Sequence, residues 1–134
     1  MHTSVKKLNL VKNKVKEILD RKQLKIGPQI IAVTKTFPIK KIIPLIEIGH
    51  LHFGENKIQE AEIKWSEIKL QNKNLKLHMI GKLQSNKAKK AVKLFDYIHS
   101  LDNERLALKL SHCQKELNKS VKLFIQVNIA NEEQ

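Results

Sequence analysis

The stretch IIAVTKTFP, from Ile30 to Pro38, is a short apolar run that ends on a lysine. Four apolar residues in a row at 30–33 are typical of a strand in a parallel sheet that is buried on both faces. After Pro38, the segment 39–48 has the apolar content of a helix, although Pro44 would break or kink it. The stretch therefore predicts a strand followed by a helix, which is the repeating unit of α/β folds.

The same alternation continues on either side of this stretch. The predicted helices are an N-terminal one, with Val5, Leu8, Val11, Val15, Ile18 and Leu19 at helical spacing, and then 39–48, 57–70, 85–95 and 104–117. The predicted strands are 30–34, 51–54, 76–80, 97–101 and 121–129, and the last is the longest. Such an alternation implies a parallel sheet, either open and doubly wound or closed as a (β/α)₈ barrel. No GxGxxG fingerprint and no P-loop is present.

Length and composition predict one cytoplasmic domain over residues 1–134. The 134 residues are 41% hydrophobic, which is enough for a core. No apolar stretch approaches the roughly 18 residues of a membrane helix. The first residues lack the apolar region of a secretory signal. The single cysteine, Cys113, rules out an internal disulfide, and on its predicted helix it reads as a small buried or half-buried residue.

The net charge of +13 has two readings. It fits an acidic partner such as nucleic acid, and a basic RNA-binding module is therefore one hypothesis. However, 24 of the 26 basic residues are lysines, and Lys, Ile and Asn together make up 50 of the 134 residues. These are the amino acids that an AT-rich genome favours, whereas a dedicated nucleic-acid binder is expected to use more arginine. Codon bias is the simpler explanation, and nucleic acid is not the expected partner.

Polar residues follow every predicted strand. They are Thr34, Lys35 and Thr36 after the first strand, Glu55 and Asn56 after the second, Gln84, Ser85 and Asn86 beyond the third, Ser100 and Asp102 at the fourth, and Gln126 and Asn128 in the fifth. In parallel α/β folds, the carboxyl ends of the strands form the active face. The alternative is structural, because Asn56, Ser85 and Asp102 are also good helix N-caps.

Lys35 has no capping role, and its position leaves two readings open. Side chains alternate along a strand, so Lys35 shares a face with Ile31 and Val33. If that face is a barrel interior, partial desolvation at the barrel mouth would lower the lysine pKa and free a nucleophilic amine. Such an amine on a rigid strand is what Schiff-base chemistry with an aldehyde requires. The alternative is a strand-end lysine that reaches out to water.

Four histidines lie in or near the predicted strands. His50 and His52 are two residues apart, and His78 and His99 belong to other strands. A metal site would need them to converge, yet no HExxH motif and no cysteine pair supports one. Packing or hydrogen-bonding roles are therefore expected, and no metal ligand is predicted.

Five motifs follow one another along the chain: IIAVTKTFP, HFGENKIQE, LHMIGKLQSNK, IHSLDNERLALKL and LFIQVNIANEE. In this order and spacing they resemble the pyridoxal-phosphate homeostasis protein family. The resemblance runs from about Ile30 to the end of the chain, and five motifs in register make it specific. It implies an α/β fold of the (β/α)₈ TIM-barrel type, as in the N-terminal domain of alanine racemase. Here that barrel is incomplete, with about five parallel strands and their helices.

The resemblance also implies a cofactor and a set of residues that bind it. Pyridoxal 5′-phosphate would be held as an internal aldimine on Lys35, while Asn56 would line the cofactor ring. His78, Ile80 and Asn128 match strand positions near the same pocket. Family members look like cofactor carriers or buffers without catalytic turnover, with pyridoxal-phosphate-dependent apoenzymes as possible partners. Thr34 stands where the family commonly has serine.

The length of the chain departs from the family pattern. A full barrel has eight strands in roughly 250 residues, and its phosphate site generally follows strands seven and eight. The resemblance therefore implies that the family's phosphate-binding segments are absent from residues 1–134. A fragment of a longer protein is expected, and the alternatives are a truncated gene or a partner that completes the sheet. A second hypothesis is an amino-acid racemase-like enzyme on the same barrel, which would need a second base on the opposite face of the cofactor.

Overall fold

The computed structural model describes residues 2–130 and 133, and within them five helices alternate with five strands. The helices are α1 (Thr3–Arg21), α2 (Ile39–Glu47), α3 (Ile58–Gln71), α4 (Ala88–Leu94, entered through a 3₁₀ turn at Ser85–Lys87) and α5 (Glu104–Leu117). The strands are β1 (Ala32–Val33), β2 (His52–Glu55), β3 (Lys76–Met79), β4 (Tyr97–Leu101) and β5 (Lys122–Ile125). Every predicted element is present, although several bounds differ.

The five strands form one parallel sheet in the order β1-β2-β3-β4-β5. A doubly wound sheet reverses direction part-way, so its strand order departs from the order along the chain. Sequential order combined with right-handed crossovers places the connecting helices on one face, as in a barrel. The prediction of an incomplete (β/α)₈ barrel with about five parallel strands is therefore confirmed, and the doubly wound alternative is wrong.

The core lies between the sheet and the helices. Phe53 on β2 packs against Trp65 on α3 with ring centroids 4.9 Å apart, and both side chains are fully buried. Leu77 and Ile98 continue this buried layer on the next two strands. Burying side chains of this size stabilises the fold by about 1.5–3 kcal/mol each. Cys113 is buried as well, as its sequence context predicts.

Two details of the elements differ from the predictions. Pro44 does not break α2, which runs on to Glu47, because a proline removes only one helical N–H and the Ile48 N–H still donates to the Pro44 carbonyl at 3.3 Å. β5 is not the longest strand, since it has four residues and β4 has five. No helix in the described part of the chain is long and apolar enough to cross a membrane.

Candidate functional site

Four of the five predicted cofactor residues lie at the carboxyl-terminal edge of the sheet, on or just beyond β1, β2 and β3. Val33 on β1 pairs with Gly54 on β2, and Gly54 pairs with His78 on β3, so these three form a row across the sheet. A residue two positions beyond each member of the row lies one step further along the same face, because side chains alternate. This edge is at the carboxyl ends of the strands. The predicted residues in the row or one step beyond it are Lys35, Asn56, His78 and Ile80.

Lys35 lies in the turn that follows β1, and its side chain is exposed. The preceding residue, Thr34, is buried, and its N–H donates to the Gly54 carbonyl at 2.9 Å. The Phe37 N–H then donates to the Thr34 carbonyl at 3.2 Å and closes the turn. No side chain among the described residues pairs with the Lys35 ammonium. The side chain is therefore free to reach a ligand at this end of the sheet.

Asn56 carries a polar atom that lacks a partner at the same edge. Its Oδ1 is buried and accepts no hydrogen bond from the described residues. Asn56 is not the N-cap of α3, as one reading of the sequence allowed, because Lys57 occupies that position. Gly81 lets the chain beyond β3 lie against Asn56, since a Cβ there would overlap the Asn56 carbonyl and lie 2.8 Å from its Cβ. A buried oxygen without a donor is costly, so this site favours a ligand that supplies one.

Three histidines on this face of the sheet form a hydrogen-bonded chain. His52 Nδ1 lies 2.9 Å from His78 Nε2, and His78 Nδ1 lies 2.8 Å from His99 Nε2. A neutral imidazole has one N–H, so His78 donates to one neighbour and accepts from the other. Its ring also stacks on Tyr97, with centroids 4.2 Å apart. The predicted packing and hydrogen-bonding roles are confirmed. No group of His, Cys, Asp or Glu in the described ranges could hold a metal ion.

Burial keeps this histidine chain uncharged at neutral pH. Desolvation, followed by the proximity of His99 and then of His52, lowers the pKa of His78 to about 4. Desolvation also lowers the pKa of His52 and of His99. The three imidazoles therefore offer neutral hydrogen-bonding groups to whatever occupies this face.

Asn128, the fifth predicted residue, lies in the segment that follows β5. β5 ends at Ile125, so Asn128 is three residues beyond the strand, and its side chain is exposed. The predicted strand 121–129 is therefore too long, while a role of Asn128 in cofactor binding stays a prediction. The neighbouring strand, β4, ends at Leu101, whose carbonyl accepts the N–H of Gln126 at 2.8 Å. β1 and β5 are the two outer strands of the sheet, so Lys35 and Asn128 follow strands that are not neighbours.

Three charged residues bind the residues on either side of Lys35, and only one of them, Glu55, stood among the polar residues predicted after the strands. They are Glu55 on β2, which is fully buried, Lys64 on α3, whose side chain is 7% exposed, and Glu60 in the first turn of α3. Side-chain alternation places Glu55 on the core-facing side of its strand. A carboxylate at a core-facing position is unusual, so this pattern could have identified Glu55 as a candidate.

The chain is similar to proteins that are named pyridoxal phosphate homeostasis protein. The chain is 36% identical over 130 residues to the pyridoxal phosphate homeostasis protein of Haemophilus influenzae, covering 94% of this chain and 54% of that protein. It is 41% identical over 105 residues to the protein of the same name from Synechocystis, covering 78% of this chain and 48% of that one. No model of a protein family matches the chain.

Two solved structures have folds similar to that of this chain. PipY of Synechococcus elongatus, solved with PLP bound, is 41% identical, with a TM-score of 0.73 over 88% of this chain and 56% of PipY. The PLP-free form of PipY gives a TM-score of 0.74. The chain thus spans about half the length of the relatives it matches.

Proposed function

We propose that this chain, which corresponds in sequence and fold to the N-terminal portion of the pyridoxal phosphate homeostasis protein family, binds pyridoxal 5′-phosphate for cofactor homeostasis. In this proposal Lys35 holds the cofactor as a Schiff base. The observation that carries it is that the unpaired amine of Lys35 and the unpartnered Oδ1 of Asn56 follow neighbouring strands at the same edge. The PLP-bound structure of PipY supports the same choice of cofactor.

Bound pyridoxal phosphate supplies an aldehyde to this edge of the sheet. The amine of Lys35, after losing its proton, would add to the aldehyde carbon, a C=N bond would replace the C=O bond, and the oxygen would leave as water. Asn56 is placed to accept a hydrogen bond, neutral His78 adds no positive charge, and Ile80 offers an apolar contact. A role of Asn128 in cofactor binding is predicted from the resemblance alone. Residues 1–134 are proposed as one partial barrel domain.

Trapping of the Schiff base tests the role of Lys35. The whole gene product is incubated with pyridoxal phosphate, reduced with borohydride and digested, and the labelled peptide is identified by mass spectrometry. We expect the label on Lys35 and its loss in Lys35→Ala. Lys40→Ala, which removes an exposed lysine from α2, is the matched control and should leave the label unchanged. A label that stays equally strong in Lys35→Ala would contradict the assignment.

The proposal also assigns a carrier or buffer role without catalytic turnover, with pyridoxal-phosphate-dependent apoenzymes as clients in the cytoplasm. The loaded protein should transfer its cofactor to such an apoenzyme and restore that enzyme's activity. It should not racemise amino acids at a sustained rate. Sustained racemisation that is lost in Lys35→Ala would instead support the racemase-like alternative.

A further inference from the structure

Glu55 is a carboxylate in a place where an apolar side chain would be less costly. It is fully buried, and it accepts hydrogen bonds from the Thr34 hydroxyl, from Trp65 Nε1 at 3.3 Å and from Lys64 Nζ at 3.0 Å. Removing a carboxylate and an ammonium from water is expensive, and well-packed apolar residues in their place are often as stable or more stable. Stability alone therefore does not account for the pair.

Lys64 links Glu55 to the turn that contains Lys35. Its ammonium donates to the carbonyl of Thr34 at 2.8 Å and lies 3.3 Å from Glu60 Oε1. Thr34 is consequently held by its hydroxyl, which donates to Glu55, and by its carbonyl, which accepts from Lys64. The residue before Lys35 is thus fixed from the helix side of the sheet.

Glu60 holds the residue on the other side of Lys35. Its Oε1 accepts the Thr36 N–H at 2.6 Å, and this bond, with Lys64 as a smaller contribution, lowers the pKa of the Glu60 carboxyl. Thr36 has a φ of 67°, a left-handed conformation that is costly for a β-branched residue. The bond to Glu60 helps to offset this cost, so that the turn keeps one shape.

We propose that Glu55, Lys64 and Glu60 are positioning residues that set the direction of the Lys35 side chain. They fix the backbone on both sides of Lys35 and leave its amine without a partner. The inference rests on the proposed function, in which that amine forms an imine with pyridoxal phosphate. A reacting group that is already oriented reaches its partner faster than one that must be ordered during the reaction.

Glu60 offers the sharpest test, because its side chain is 32% exposed and its removal leaves the buried Glu55–Lys64 pair in place. In the whole gene product, Glu60→Ala should slow imine formation at Lys35 about tenfold or more. The rate is measured by borohydride trapping at successive times after the addition of pyridoxal phosphate. Glu60→Gln keeps an oxygen that can accept from Thr36, so it should restore most of the rate. Hydrogen exchange at the Thr36 amide gives a readout that needs no cofactor.

The two readouts separate the possible outcomes. Faster exchange at Thr36 and slower trapping in Glu60→Ala, with both largely restored in Glu60→Gln, support the inference. Trapping as fast in Glu60→Ala as in the unmodified protein overturns it and leaves the proposed function standing. No trapping at Lys35 in the unmodified protein overturns the proposed function, and the inference with it. Glu67→Ala, an exposed change on the same helix, should alter neither readout.

Discussion

At Gly81 a single methyl group decides whether the chain beyond β3 can lie against Asn56. A Cβ there would overlap backbone atoms of Asn56, which cannot rotate away as a side chain can. We expect Gly81→Ala to lower the free energy of unfolding by about 1–3 kcal/mol, and to weaken pyridoxal phosphate binding as Asn56 moves. Urea denaturation and cofactor titration measure the two effects.

Gly27 provides the control for this prediction. A Cβ at Gly27 would lie 2.5 Å from Leu19 Cδ1, which is the end of a flexible side chain. Gly27→Ala should therefore cost less than about 1 kcal/mol, because the leucine can change rotamer. Equal losses of stability in the two variants would show that the backbone contact at Gly81 is not what matters.

His78 should make the stability of the protein depend on pH in the acidic range. Its pKa is about 4 in the folded protein and about 6.5 when the chain is unfolded, so the unfolded chain binds more protons between these values. His78 should therefore make the free energy of unfolding fall as pH falls through this range, and its own contribution is at most about 1.4 kcal/mol per pH unit. Urea unfolding of the whole gene product at several pH values measures the slope.

Two variants identify the source of that slope. His78→Gln should reduce it, because glutamine does not titrate, while His52 and His99, whose pKa values are also lowered, keep part of the slope. His112→Gln changes a histidine whose side chain is 75% exposed, and it should leave the slope as it is. A slope in His78→Gln as steep as that of the unmodified protein would place the proton uptake elsewhere.

At the scale of elements, interior elements were predicted well and edge elements were not. The bounds of β4 and α5 agree with the sequence pattern, since β4 has neighbours on both sides and α5 buries one clear face. β1 and β5 have one neighbour each: β5 ends level with β4 at the Leu101–Ile125 pair, whereas β1 pairs over only two residues although β2 continues to Glu55. Sequence periodicity does not contain this information, because strand length at an edge depends on pairing.

The N-cap of α5 gives a prediction at the same scale. The sequence offered Asp102, whereas Asn103 is the cap, and its Oδ1 accepts the Leu106 N–H at 2.8 Å. Asn103→Ala should lower the free energy of unfolding by about 1 kcal/mol, and Asn103→Asp should retain the cap. Thermal or urea unfolding checks both. Asp102→Ala serves as a control and should have a smaller effect than Asn103→Ala.

At the scale of the whole molecule, the candidate site was only partly predictable. Lys35 and Asn56 were predicted as site residues from motifs that match in order and spacing, and in the structure they follow the neighbouring strands β1 and β2. The pairing of Glu55 with Lys64 could not be predicted from the motifs, because one residue is on a strand, the other is on a helix, and they are nine residues apart in the sequence. Local spacing rules apply within one element, so they do not reveal a charge pair that forms between two.

The two edge strands of the sheet, β1 and β5, should make the 134-residue chain self-associate when it is prepared alone. Its two edge strands have unpaired backbone groups, and Val33, Phe124 and Ile125 are 49%, 50% and 76% exposed. Exposed apolar edges of this kind pair with other chains. We expect the average mass in sedimentation to rise with concentration, and Ile125→Lys to reduce that rise.

Ile63 supplies the comparison, because its side chain is 88% exposed on α3 and not on the sheet. Ile63→Lys adds the same charge and removes the same side chain, so it separates an effect of the β5 edge from an effect of net charge. Association should stay near the unmodified level in Ile63→Lys if the edge is responsible. If both variants reduce association equally, charge repulsion explains the change, and a monomeric unmodified chain at every concentration would contradict the expectation itself.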